Sequence, residues 1–137
     1  MRSIGRSKSA RRGAAAVEFA VVLPIFLTFL FGIIEFGRAI MVQQILINAS
    51  REGNRTGIVE NLDTAAITQV IQDYVQAAGL DSANVTVTPD PTTVESGTPI
   101  RVVVTVPYAD VSWIAPQWLT GNFNLVGVST MRKEAIF

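Results

Sequence analysis

The chain has 137 residues, 49% of them apolar, with eleven basic and eleven acidic side chains and therefore no net charge. It contains no cysteine and no histidine, which excludes disulfide bonds, Ser–His and Cys–His nucleophile systems and the usual zinc ligand sets. The remaining carboxylates are scattered singly, and the sequence carries no glycine-rich phosphate loop. We therefore predict that the protein is not an enzyme and binds neither a metal ion nor another cofactor.

The charges are unevenly distributed along the chain. Residues 1–13 contain five basic side chains and no acidic one, and they are rich in serine and glycine. We expect this segment to be disordered. The rest of the chain has six basic and eleven acidic residues, a net charge of −5. Such an acidic balance argues against nucleic acid as a partner.

A long apolar run follows the basic segment. Residues 19–34 carry no charge, and residues 14–34 carry only Glu18. As a helix, those twenty-one residues would reach ~31 Å, about the thickness of a hydrocarbon core. This run predicts a transmembrane helix over residues 14–37 in contact with membrane lipid. The preceding positive charges place residues 1–13 in the cytoplasm and residues 38–137 on the other side of the membrane.

The helix is expected to continue beyond the membrane. Ala39, Val42, Leu46, Ala49 and Gly53 recur at spacings of three and four, which places them on one helical face. The pattern predicts one helix over about residues 14–55. Its first half is apolar all round and its second half is amphipathic, and Gly53 with Gly57 is expected to mark its end.

The remaining elements predict a small domain with an α+β fold. Asp63 and Gly79 are placed to begin and end a second helix over residues 64–78. Residues 85–88 and 100–106 have strand patterns that favour a hairpin, and a third strand is predicted over residues 125–133. Residues 108–124 are interpreted as a long loop. We expect a small antiparallel sheet with the helices on one face.

Glu18 requires an explanation, because an acidic side chain at the centre of a bilayer costs about 2.5–3.5 kcal/mol on insertion scales. One reading is a tolerated carboxylate near the membrane interface. A functional reading begins with cleavage after Gly13, which would give Ala14 a free α-amine with a pKa of about 7.7–8.0. That amine would lie four residues from Glu18 on the same helix, or would reach Glu18 of a neighbouring helix. Opposite charges gain far more by pairing in a low dielectric than in water.

The stretch GAAAVEFAVVLP from Gly13 to Pro24, followed by GIIEFGR ending at Arg38, resembles the TadE-like family, minor pseudopilins of tight-adherence (Tad/Flp) pilus systems. The segments ASREGNR over residues 49–55 and STMRKE over residues 129–134 are also similar to that family. Asn54 departs from the family, which often has a small residue there. The resemblance covers residues 11–56 most strongly.

This resemblance implies that the α+β fold is pilin-like, and it implies specific roles for four residues. Gly13 and Ala14 match the two sides of a bond cut on the cytoplasmic side by a membrane aspartic prepilin peptidase. Glu18 and Phe19 match the glutamate and the aromatic residue that act in subunit assembly. The implied function is that of a minor pseudopilin in pilus assembly and adherence, located in the cytoplasmic (inner) membrane or incorporated into the pilus. Its implied partners are the peptidase, other pilin or pseudopilin subunits and the assembly machinery.

Three further features allow more than one interpretation. Pro24 lies inside the membrane helix, where we expect a kink that serves either ordinary packing or the arrangement of subunits. Glu35 and Arg38 are interpreted as a solvated interfacial pair. The aromatic residues of segment 113–119 either cover the core of the sheet or form an exposed patch for a partner or the membrane surface. A rival function is an uncleaved, membrane-anchored binding or scaffold module that uses this patch.

Overall fold

The computed structural model describes residues 8–114 and 121–133, with residues 8–10 described only by their backbone. This part of the chain forms three helices and three strands. In chain order they are α1 (Lys8–Val59), α2 (Thr64–Ala77), β1 (Asn84–Thr88), β2 (Pro99–Pro107), α3 (Tyr108–Val111) and β3 (Asn124–Arg132). The long first helix, the second helix and the small antiparallel sheet confirm the predicted α+β fold.

Helix α1 is longer than predicted at both ends. It begins at Lys8 rather than near residue 14, so residues 8–13 are helical where disorder was expected; residues 1–7 of that segment lie outside the described residues. At the other end it continues to Val59, past the two glycines expected to end it. A Cβ atom on Gly53 would lie 2.2 Å from the side chain of Ile71, and one on Gly57 would lie 2.3 Å from that of Ile67. These glycines therefore lie in the helix interior, where they let α2 pack closely.

Helix α2 begins and ends as the sequence predicts. The Asp63 carboxylate accepts a hydrogen bond from the backbone N–H of Ala66 at 2.8 Å, which satisfies a free donor of the first turn. At the other end, Gly79 adopts a φ of 76°. The N–H of Leu80 donates to the carbonyl of Val75 at 3.0 Å, completing a Schellman motif.

The three strands form an antiparallel meander in the order β1-β2-β3, so the predicted hairpin of β1 and β2 is confirmed. Alternate side chains of β2 are completely buried beneath the helices, while the residues between them point to the other face. Helix α1 packs most extensively on β3 and also on α2 and β2, while α2 packs on α1 and β1. The central core comprises Val42, Leu46, Ala49, Ile67, Ile71, Val75, Leu80, Val102, Val104, Val106 and Val111.

Strand β3 runs alongside α1 at unusually short range. A Cβ atom on Gly127 would lie 2.2 Å from the backbone carbon of Leu46, so only glycine leaves room for the two backbones to meet. One residue earlier in β3, the carbonyl of Val126 accepts a hydrogen bond from the Gln43 side-chain amide at 2.6 Å. These contacts join the amphipathic half of α1 to an outer strand of the sheet.

A buried asparagine lies further along the same contact. The Asn54 side chain is 1% exposed and donates to the carbonyl of Ile100 at 3.1 Å and to the Ser129 hydroxyl at 3.4 Å. Its Oδ1 atom has no hydrogen-bond partner among the described residues. Asn54 thus links α1 to both β2 and β3.

The connection between β1 and β2 is organised around Asp90. Its carboxylate accepts hydrogen bonds from the backbone N–H and the hydroxyl of Thr92, at 2.8 and 2.6 Å, and from the hydroxyl of Thr64 at 2.9 Å. The hydrogen bonds from Thr92 and then Thr64 lower the pKa of Asp90 to about 2. Lys133 holds the same connection by donating to the carbonyls of Pro91 and Val94 at 2.7 and 3.0 Å. The connection is therefore tied to the start of α2 and to the end of β3.

Substituting Gly127→Ala should destabilise the domain by about 1–3 kcal/mol or more, because the new methyl group would overlap the backbone of α1. Thermal unfolding of the full chain in detergent micelles measures the effect. Gly37→Ala is the matched control, since a Cβ atom there meets nothing within 4 Å. Equal unfolding temperatures for the two variants would contradict the close approach of α1 and β3.

The Asp90 carboxylate should make stability depend on pH in the acidic range. Because its folded pKa of about 2 lies below the unfolded value, its contribution is present above pH ~4 and is lost as the pH falls towards 2. Asp90→Asn should flatten this part of the pH profile of unfolding, measured by far-UV circular dichroism. Asp81→Asn, at an exposed position, serves as the control and should leave the profile unchanged.

Candidate functional site: the membrane helix and its junction with the domain

The four residues assigned by resemblance to cleavage and assembly all lie on α1 and are exposed within the single chain. Ala14 and Glu18 are four residues apart on a continuous helix, so their side chains lie on the same face. The bond between Gly13 and Ala14 is itself inside α1. A peptidase that cuts there must therefore first unwind the helix locally, and glycine lowers the cost of doing so.

Glu18 has no ionic partner within the described residues, where the one salt bridge joins Arg55 and Glu52 at 2.7 Å. Its neighbour Phe19 is 64% exposed, on a stretch of helix that the folded domain does not cover. An unpaired carboxylate beside exposed apolar side chains is costly in a bilayer. The arrangement can therefore take up a cationic partner from a new N-terminus or from a neighbouring helix.

Pro24 lies within the same exposed stretch of α1. Proline lacks the backbone donor that would complete a helical hydrogen bond. One turn later, the Thr28 hydroxyl donates to the carbonyl of Pro24 at 2.8 Å, a contact that often accompanies helix bending. The kink at Pro24 stays a prediction.

Helix α1 is the one helix among the described residues that is long and apolar enough to cross a membrane. Its most apolar stretch is not buried at all by the rest of the chain, which distinguishes it from the core helix of a soluble domain. Large apolar side chains on every side of this stretch face outward, as a surrounding of lipid or other helices requires. The helix supports a single-pass membrane anchor.

Glu35 departs from its predicted role as one half of a solvated pair with Arg38. The Glu35 residue is only 8% exposed. Its carboxylate accepts a hydrogen bond from the Tyr108 hydroxyl at 3.0 Å and from the backbone N–H of Trp113 at 3.4 Å. Burial, followed by the hydrogen bond to Glu35, raises the pKa of Tyr108, which keeps the phenol protonated as the donor. The prediction was wrong because it considered only neighbours along the helix.

Arg38 contacts the same segment through different groups. Its guanidinium donates to the carbonyl of Val111 and lies over the indole ring of Trp113, 4.0 Å from the ring centroid. A cation at this distance from the face of tryptophan is attracted by the ring. Glu35 and Arg38 therefore bind one polypeptide segment side by side; we call these two residues with Tyr108, Val111 and Trp113 the junction clamp.

The segment predicted as a long loop over residues 108–124 is partly regular. Residues Tyr108–Val111 form the short helix α3, and Asn124 already belongs to β3. The Trp113 side chain is 71% exposed, so it does not cover the core of the sheet, the first of the two predicted alternatives. Residues 115–120 of the predicted aromatic patch, which include Trp118 and Leu119, lie outside the described residues.

Sequence reasoning missed the junction clamp because its halves are more than seventy positions apart along the chain. The available signal was indirect: a carboxylate and a guanidinium directly follow an apolar run, where each needs a polar or aromatic partner. No three His, Cys, Asp or Glu side chains among residues 8–114 and 121–133 lie close enough to hold a metal ion.

Replacing Glu35 with alanine should release the segment around α3. Buried donors left without an acceptor cost about 1–3 kcal/mol. A change of about 1.4 kcal/mol corresponds to a tenfold change in an equilibrium constant, here that of local opening. Amides of residues 108–114 should therefore exchange with deuterium about tenfold or more faster in detergent micelles. Glu52→Ala, which removes an exposed ion pair on the same helix, is the control and should leave that exchange unchanged. Unaltered exchange in Glu35→Ala would contradict the clamp.

Comparison with known proteins gives one result, and it concerns the helix just described. No curated protein and no solved structure matches the chain significantly. One family model does match, over a segment a little under a third of the chain long. Because that model describes TadE-like proteins, the match suggests a protein associated with Tad pili. Residues 13–55 match the family described as TadE-like protein, which confirms the predicted resemblance over the membrane helix and its amphipathic continuation.

Proposed function

We propose that this protein is a minor, prepilin-like subunit of a Tad-type pilus. It inserts with residues 1–13 in the cytoplasm and is cut after Gly13 by a prepilin peptidase. The rest of the chain then remains in the membrane through residues 14–37 and exposes its α+β domain on the far side. In this state it acts in pilus assembly and adherence, as a structural subunit rather than an enzyme.

The observation that carries this proposal is where the family match falls on the structure. The match begins at Gly13, the residue before the proposed cut, and ends at Arg55, four residues before the end of α1. It thus follows the long helix and leaves out the sheet, α2 and α3. A family defined by this helix favours a function that depends on the helix itself.

The physical reason for cleavage is the unpaired charge of Glu18. In the uncut chain the nitrogen of Ala14 is part of a peptide bond and carries no charge. After the cut it is an α-amine with a pKa of about 7.7–8.0 and is mostly protonated at neutral pH. A carboxylate and an ammonium in a low-dielectric surrounding attract each other far more strongly than in water. Cleavage therefore creates a partner for Glu18 at the moment when subunits are to assemble.

The exposed apolar half of α1 supplies the surface for that assembly. Phe19, Ile25 and Phe29 are each more than 60% exposed in the single chain. In a membrane these side chains contact lipid, and in a fibre they would pack against helices of other subunits. A buried ion pair contributes little net stability but penalises a wrong register strongly, because a shifted helix leaves a charge unpaired. Glu18 would in this way select the correct arrangement of neighbouring helices.

The test combines processing and assembly in one strain background. In cells that produce Glu18→Gln, mass spectrometry of the membrane-extracted protein should find the N-terminus at Ala14, as in the wild type. Pilus formation should be lost or reduced at least tenfold, because the amide cannot pair with the new amine. The amount of pilus formed is measured by electron microscopy or by shearing of surface fibres. Glu60→Gln, an exposed substitution beyond the end of α1, is the control and should leave both readouts unchanged.

Two results would contradict parts of the proposal. Normal fibres in Glu18→Gln would exclude the charge-pairing mechanism but not the topology. A wild-type chain that keeps residues 1–13 in cells with functional fibres would exclude cleavage as a requirement. The second result would favour the rival function, an uncleaved membrane-anchored module that presents the exposed Trp113 to a partner.

A further inference from the structure

The end of the domain nearest the predicted membrane span carries exposed aromatic and aliphatic side chains. Five such residues come from α1, from the segment after α3 and from the residue before β3. Their exposed fractions lie between 44% and 71%, and they are Phe36, Ile40, Trp113, Ile114 and Phe123. Apolar groups of this size exposed together mark a surface that meets another phase or molecule.

The junction clamp fixes the height of this surface along α1. The apolar run ends at Ile34, and the next residue, Glu35, binds the backbone N–H of Trp113. Arg38 lies over the Trp113 ring and binds the carbonyl of Val111. The four residues 35–38 extend ~5 Å along the helix axis. Trp113 is therefore held within one helical turn of the end of the apolar run.

The remaining contacts place the other exposed residues at the same end. The backbone N–H of Tyr108 donates to the carbonyl of Phe123 at 2.8 Å, which closes the connection between β2 and β3 at its base. From that base, β3 leads away along α1, with Val126 at Gln43 and Gly127 at Leu46. The described ends of the connection, residues 108–114 and 121–123, therefore lie at the level of residues 35–38, and the sheet extends away from them.

We propose that this surface lies in the headgroup layer of the outer leaflet, so that the domain rests directly on the lipid. The argument is continuity with the membrane span. A bilayer is ~30 Å thick in its hydrocarbon core and ~40–45 Å with its headgroups, which leaves ~5–8 Å for each interface. The height set by the clamp falls within that layer. Tryptophan is enriched at this depth because its ring is apolar and its indole N–H is polar.

The junction clamp also provides partners for the two charged side chains at this depth, Glu35 and Arg38. Glu35 accepts hydrogen bonds from several donors of the domain, Tyr108 and Trp113 among them, so it does not face lipid unpartnered. The Arg38 guanidinium stacks on the Trp113 ring and donates to the carbonyl of Val111, so this charge is also partnered within the domain. The contact with lipid thus holds the domain at one height and one orientation relative to α1. This inference depends on the membrane span but not on cleavage after Gly13.

The test uses fluorescence of the full chain in vesicles of phosphatidylcholine and phosphatidylglycerol. The sequence has two tryptophans, so Trp118→Phe leaves Trp113 as the single reporter. Nitroxide labels are placed on the lipid headgroup in one sample and at the twelfth acyl carbon in another. We expect the headgroup label to quench Trp113 at least twofold more strongly than the deep label, and the emission maximum to lie to the blue of that of a water-exposed tryptophan.

The matched control moves the reporter away from the membrane. Val59 is 70% exposed at the far end of α1, ~36 Å beyond Glu35 along the helix. A chain with Trp113→Phe, Trp118→Phe and Val59→Trp should show no quenching by either label. The proposal is overturned if Trp113 is quenched no more than this control. Blue-shifted emission without lipid quenching would likewise overturn it, because another protein subunit would then cover the surface. Trp118→Tyr repeats the measurement should Trp118→Phe fail to fold.

Discussion

One unbroken helix has to satisfy two different surroundings, and the rest of the structure depends on this constraint. Helix α1 is continuous from Lys8 to Val59, and an α-helix satisfies its backbone N–H and C=O groups internally except at its ends and near a proline, which lets the first half enter lipid. The second half keeps the same backbone but confines its apolar side chains to one face. Val42, Leu46 and Ala49 on that face are almost completely buried against the sheet and α2. The domain is therefore assembled directly on the extension of its membrane anchor.

Close backbone packing turns this helix into part of the core. Gly53 and Gly57 let α2 approach on one side, and Gly127 lets β3 approach on the other. Between these contacts, Asn54 joins α1 to β2 and β3 through hydrogen bonds from its side-chain amide. A rotation of α1 would break these contacts together, since each is specific to one face of the helix. Such packing couples the orientation of the domain to that of the membrane segment.

The junction clamp extends the same coupling to the membrane boundary. Glu35 and Arg38 each bind the segment after β2, so the end of the domain nearest the bilayer cannot swing freely about α1. Together with the Gly127 contact, the clamp fixes the domain at two heights along one helix. In the proposed pilus subunit, a shift of the membrane helix would therefore be transmitted to the exposed domain. That property suits a protein whose proposed role is to organise the assembly of other subunits.

The sequence by itself determined the features that depend on local periodicity and local chemistry. The apolar run, the amphipathic stripe, the caps of α2 and the alternating strands all lead to the α+β fold, and GAAAVEF leads to the resemblance that the family model confirms. Each of these signals needs only residues within a few positions of one another. Cleavage after Gly13 and the pairing of Glu18 follow from the same local pattern and stay predictions.

Only the tertiary structure decided the features that join distant parts of the chain. Glycines that look like helix ends prove to be contact points, because the side chains that meet Gly53 and Gly57 come from another helix. Glu35 looks like the partner of Arg38, yet its partners lie more than seventy residues away. Which of several possible partners a polar side chain takes depends on the path of the backbone, and that path is settled by the packing of the whole core.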